Sequence, residues 1–141
     1  MVLYAKDIVE TDVIFLPLET NALDAARRMK EKKHGFVIAV NNGKPVGMVT
    51  EWDYLSKIVA EEKDPKVVLL KEIMTENLVS VQGNQGIDLV SSLMAQKGIR
   101  RILVMDQDKL LGVITSKTIL TRLGEYVNRV SSQIARLQSP L

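Results

Sequence analysis

Thr50 and Asp53 stand three residues apart at the end of the stretch GMVTEWD, residues 47–53. A threonine hydroxyl and the backbone N–H groups opening a helix donate to anionic oxygens such as those of phosphate, and the helix dipole favours the negative charge. A carboxylate one turn further on only accepts when ionised, which suits a pair of adjacent hydroxyls. The same spacing also describes a plain helix start, with Thr50 as cap and Asp53 complementing the dipole, each worth about 0.5–1 kcal/mol. Sixty-five positions later GVITSKT, residues 112–118, keeps the glycine and the first threonine but carries Thr118 in place of the aspartate.

Most other chemistry is excluded by composition. The chain has no cysteine and one histidine, which removes disulfides, thiolate metal sites and thiol nucleophiles and makes a histidine-based metal site or triad improbable. His34 follows the run Lys30-Glu31-Lys32-Lys33 at an expected helix end and reads as a terminal or surface residue. Asp7, Glu10, Asp12 and Glu72 have neither a paired histidine nor a tight ligand spacing, so no catalytic residue and no metal site is assigned. Nineteen basic and 17 acidic residues are interspersed for a net charge of +2, without the broad basic field that neutralises many phosphates. A nucleic-acid role would need a patch built in three dimensions from Arg27, Arg28, Lys30 and Lys33. The apolar runs are too short to cross a bilayer, and the expected location is the cytoplasm.

The elements that must position these residues recur. Shifted by 65 residues, the chain aligns with itself without a gap to about Ile58: Lys6 with Lys71, Met29 with Met94, Gly47 with Gly112, Thr50 with Thr115, Leu55 with Leu120. Each copy reads as short strand, helix, strand, strand, helix. Val13 to Leu16 is an expected strand, Thr20 or Asn21 an expected cap, and Ala22, Ala25, Ala26 and Met29 share one helical face. Strands over 36–40 and 46–50 flank Asn42-Gly43, a tight-turn signal, and Leu55, Ile58 and Val59 share an expected helical face. The polar segment around Asp64-Pro65 separates residues 1–62 from 66–125. Units this small are marginal alone, so the two should pack across a pseudo-two-fold axis and open two equivalent clefts at the seam. Residues 126–141 carry Val127, Val130, Ile134 and Leu137 at helical steps, an amphipathic helix seeking a surface on this chain or on a partner.

A duplicated β-α-β-β-α unit of this size, each with a G-h-h-T-x-x-D-like turn, resembles a tandem CBS-domain (cystathionine β-synthase domain) pair over residues 1 to about 125. The resemblance implies an α/β module that binds adenosine-containing ligands (AMP, ADP, ATP or S-adenosylmethionine), commonly as a flat dimer, and that senses rather than catalyses. Carried over by position, it implies that Thr50 and Asp53 hold ribose and phosphate. Thr75, Leu78, Val79 and Ser80 face them from the second copy, with Ile99 against the base and Arg101 directed at the phosphate. Of Arg100 and Arg101, strand alternation admits only Arg101 to the cleft.

In the second cleft Thr118 replaces the carboxylate, and Phe36 occupies the register of Arg101. One good site per chain is therefore expected, most simply for AMP or ADP, with the second cleft weak or empty and no catalytic cofactor. Trp52 and Tyr54 are candidate dimer-contact residues, and any output must pass through the homodimer or an effector protein. The alternative is a scaffold whose clefts are vestigial and whose C-terminal helix recruits a partner.

Overall fold

A computed structural model describes residues 3–138. The first half contains α1 (Ala5–Ile8), β1 (Phe15–Pro17), α2 (Ala22–Lys32), β2 (Phe36–Asn41), β3 (Lys44–Thr50) and α3 (Glu51–Tyr54). The second contains α4 (Leu70–Ile73), β4 (Ser80–Gln82), α5 (Ile87–Lys97), β5 (Arg101–Asp106), β6 (Lys109–Thr115) and α6 (Ser116–Gln138). Each half forms a three-stranded sheet, β1-β2-β3 or β4-β5-β6, with a parallel pair followed by an antiparallel hairpin. The pairing repeats at the 65-residue offset, Phe36 with Thr50 and Arg101 with Thr115, and each hairpin carries a register shift at the equivalent place.

Local chemistry explains most of the elements. The Asn21 side chain accepts from the Asp24 N–H at 2.9 Å and caps α2, whose Ala22, Ala25 and Met29 are buried. Lys33, with φ of 56°, ends that helix in the left-handed region. Asn42 and Gly43 both take positive φ, 52° and 77°, in the β2–β3 turn, as a two-residue hairpin turn of right-handed twist requires. The first strand begins at Phe15 rather than Val13, because Val13 turns inward to the seam between the sheets.

Three apolar clusters hold the molecule. One lies under each sheet, and a third joins the sheets through Val13, Phe36, Ile38, Leu103 and Val113. The short helices α1 and α4, absent from the expected element order, are exchanged between the halves. Ala5 and Ile8 of α1 are buried in the core of the second half, and Leu70 and Ile73 of α4 in that of the first. Matching backbone bonds fix the exchange: Ala5 N–H to Gln85 O at 2.8 Å and Lys6 N–H to Gly83 O at 2.9 Å, against Leu70 N–H to Thr20 O at 2.9 Å and Lys71 N–H to Leu18 O at 3.0 Å. Beyond each short helix the chain runs along the other half's hairpin, so that Glu10 bridges Val113 and Thr75 bridges Met48.

Close approach explains the motif glycines. A Cβ on Gly112 would stand 2.1 Å from the backbone oxygen of Glu10, and one on Gly47 would stand 2.4 Å from the Met74 sulfur. At Gly112, where the neighbour is backbone, only glycine lets the exchanged segment lie this near the hairpin; at Gly47 the neighbour is a side chain.

Two expected helices take a more specific form. After Tyr54 the chain continues as a π-helical turn, Leu55–Val59, with the Ala60 N–H bonded to Leu55 O at 2.9 Å. The extra residue in that turn rotates the register, so Ile58 is buried while Leu55 and Val59 are exposed. Tyr54 packs against the first core and donates to Ala22 O at 2.6 Å, which leaves Trp52 as the exposed aromatic of the pair. The expected C-terminal helix is present, and nothing separates it from the helix that follows β6. It continues α6 unbroken to Gln138, and no residue of α6 is buried; residues 139–141 lie outside the described residues.

Candidate functional site

At the seam, β3 ends and α3 begins opposite the segment that leads from α4 into β4. A cavity of about 190 Å³ opens there, lined by Met48, Thr50, Thr75, Asn77, Leu78, Val79, Ile99, Arg100, Arg101 and Leu103. Six of the sequence-derived residues therefore converge from both halves: Thr50, Thr75, Leu78, Val79, Ile99 and Arg101. Thr75 is held there by a pair of backbone bonds with Met48, at 2.9 and 3.0 Å. Val79 and Ile99 are partly buried against the second core, so one wall is apolar and fixed.

Two residues do not join them. Ser80 opens β4 with an exposed side chain and does not line the cavity. Asp53 is only 5% exposed. Its Oδ2 accepts from the Thr50 N–H at 2.8 Å and lies 3.3 Å from the Thr50 hydroxyl, while its Oδ1 pairs with Lys57 Nζ at 2.9 Å. The Lys57 ammonium also donates to Ile73 O at 2.8 Å, which ties α4 to this corner. The carboxylate thus stands behind Thr50 and fixes it. The N–H of Glu51, first in α3, is also engaged, donating to Gly35 O at 3.1 Å.

Both arginines enter the site. Arg100 precedes the strand and is free of its alternation, so it lines the cavity beside Arg101. Asn77, Met48 and Leu103 line it as well and carried no motif signal; only their register beside Thr75, Thr50 and Arg101 could have found them. The Arg101 side chain is 17% exposed, with Nη2 3.3 Å from Glu51 Oε1 and the guanidinium carbon 4.9 Å from the centre of the Phe36 ring. Burial, then the neighbouring Arg100, lowers its pKa from the ordinary arginine value, and Glu51 opposes both.

The pseudo-equivalent cleft is the larger, about 640 Å³, and it too is lined by Arg100 and Arg101, with Lys33, Lys117 and Arg122 among its other residues. The expectation that Phe36 leaves this cleft without charge to meet a phosphate is therefore corrected. The ring is almost wholly buried, and Arg101 lies across it. His34 stacks with Phe36, the two rings nearly parallel with centroids 6.3 Å apart. Thr118 turns its hydroxyl to Thr115 Oγ1 at 3.0 Å and to the Glu10 carboxylate, so it serves local structure.

Comparison with known proteins agrees with this geometry. The CBS domain model matches residues 5–60 and 70–125. An uncharacterised protein of Methanopyrus kandleri is 32% identical over 138 residues, covering 96% of this chain and 70% of that protein. The hexameric CBS-CP12 protein from bloom-forming cyanobacteria superposes with a TM-score of 0.77 at 37% identity, over 85% of this chain and 67% of that one. The CBS domain pair of protein MJ0100, solved in complex with 5′-methylthioadenosine and S-adenosyl-L-methionine, gives a TM-score of 0.78 at 26% identity, over 89% of this chain and 99% of that one. With two matched units, exchanged helices and clefts at their seam, this chain belongs to the CBS domain family as a tandem pair.

Proposed function

We propose that the chain is a regulatory module that binds one adenine nucleotide, AMP or ADP, in the cleft at Thr50, and that it acts by binding rather than by catalysis. The observation that carries this reading is the convergence of Thr50, the apolar wall of Val79 and Ile99, and the guanidinium groups of Arg100 and Arg101 on one cavity built from both halves. Its volume of about 190 Å³ is below the roughly 300–1,000 Å³ of pockets that enclose a whole drug-sized ligand. The cavity therefore takes the nucleoside, and the phosphate sits at the mouth, where the two arginines meet it in bidentate fashion. Arg101 belongs to both clefts, so one guanidinium serves two places and a single anionic ligand per chain is favoured. Adenosine ligands in the MJ0100 pair support the ligand class.

In this reading Asp53 is a positioning residue that holds Thr50, and direct contact with ribose hydroxyls requires its Oδ1 to leave Lys57. Ligand binding shifts only states for which its affinity differs, and the exposed Trp52, Leu55 and Val59 are the face through which a homodimer transmits that shift. Isothermal calorimetry with AMP, ADP, ATP and S-adenosylmethionine tests the reading. One site per chain for AMP or ADP is expected, weakened by Thr50→Ala and by Arg101→Met. Lys57→Met leaves AMP affinity unchanged if Asp53 only positions, and raises it if Oδ1 takes the ribose. Absence of heat and of thermal stabilisation with all four ligands overturns the reading.

A further inference from the structure

Leu120, Leu123, Val127, Val130, Ile134 and Leu137 lie on α6 at steps of three, four, three, four and three. That is an unbroken heptad alternation, extending the C-terminal stripe back to where the helix leaves β6, and its period of 3.5 is that of a left-handed helix pair. None of these residues is buried by the chain itself. In proteins most of a helix's stability comes from packing its apolar face, and this chain leaves that face of α6 open.

We infer that α6 pairs in parallel with α6 of a second copy to form a two-stranded coiled coil that runs from the last helix turns of the second CBS unit along the rest of α6. Charge placement favours a second copy over a foreign helix. Beyond Leu120 the charged residues are Arg122, Glu125, Arg129 and Arg136, and all fall on c and f positions away from the seam, where Arg122 donates to Asp7 O at 3.2 Å and pairs with Glu125 at 3.6 Å. The positions flanking the seam are Gly124, Tyr126, Ser131, Gln133 and Gln138. Two identical helices therefore meet without like charges facing each other, and a foreign partner finds no flanking charges to select it. The β-branched Val127 and Ile134 occupy a positions and Leu123 and Leu137 occupy d positions, while Leu120 at a and Val130 at d depart. This segregation suits two strands in a parallel pair, in which a meets a and d meets d.

Because the chain has no cysteine, a single introduced thiol reports proximity without background. In the full chain, Leu137→Cys (seam) and Arg136→Cys (outward) are oxidised under identical mild conditions. Disulfide-linked dimer is expected from the first at a rate at least tenfold above the second, and Ile134→Glu added to Leu137→Cys is expected to abolish it. Equal rates at both positions, no dimer from Leu137→Cys, or linking that survives Ile134→Glu overturns the inference. All three substitutions lie on the exposed end of α6, so the CBS units keep their cores.

Discussion

Replacing Arg101 by methionine separates the cost of the site from its use. Three effects act on stability, and they oppose one another. Loss of the ion pair to Glu51, whose side chain is 68% exposed, costs on the order of 0.5 kcal/mol. Loss of the guanidinium over Phe36 costs about 0.5–1 kcal/mol, part of which a methionine sulfur on the same ring restores. Against these, the substitution removes a charge that burial and Arg100 both disfavour. The net change in unfolding free energy is therefore under about 1 kcal/mol, which for a domain of this size moves Tm by no more than about 4 °C. Binding behaves differently. A charge-assisted contact to phosphate is worth about 1.5–3 kcal/mol, so Kd for AMP should rise roughly 10- to 100-fold. Affinity for adenosine, which has no phosphate, should hold within about twofold, since its apolar wall is untouched. Differential scanning calorimetry and titration calorimetry on the same preparations give both numbers. Equal losses for AMP and adenosine, or a Tm drop beyond about 10 °C, would refute the assignment of Arg101 to the phosphate.

Further outcomes follow from other contacts. Gly112→Ala forces a Cβ against the Glu10 carbonyl and should lower stability by at least about 2 kcal/mol in urea unfolding; Gly47→Ala meets only the flexible Met74 side chain and should cost less. Asp53→Ala removes the bond to the Thr50 N–H and the Lys57 pair and should cost about 1–2 kcal/mol, read in the same assay. Burial raises the Tyr54 pKa from 10.0 to about 12. The folded state thus keeps a proton that the unfolded state releases, and the stabilisation is full below pH 10 and declines as pH rises toward 12. Absorbance titration at the tyrosinate band should show one component near pH 12, missing in Tyr54→Phe.

The duplication was legible because a gapless 65-residue register is hard to produce except by repeating a fold, and the cleft residues were placed by the resemblance to a tandem CBS-domain pair. The exchange of α1 and α4 was not. Ala5 and Ile8 match Leu70 and Ile73 in pattern, so periodicity shows that both pairs are buried without showing in which core. Thr50 and Asp53 exposed a different limit. Their three-residue spacing is common to a ligand turn and to a helix cap, and only the position of Lys57 and the burial of the carboxylate distinguish the two here. The split of Leu55, Ile58 and Val59 into one buried and two exposed residues was not legible, because a π-helical turn leaves no mark on helical spacing. The charge of the second cleft was hidden because it comes from Arg101 reaching across a flat Phe36 ring, a contact between residues that the repeat treats as equivalents.

The exchanged short helices give the linker an unusual standing. A break anywhere in residues 61–66 would yield two polypeptides, each missing the helix that completes its own sheet and carrying the one that completes the other's. Neither piece could finish folding by itself, yet mixed together they hold every contact of the parent. The protein is thus a natural candidate for splitting into complementary fragments whose reassembly reports the encounter of whatever is fused to them. The same wiring would let a single copy complete a core of this kind by trading its short helix with another chain.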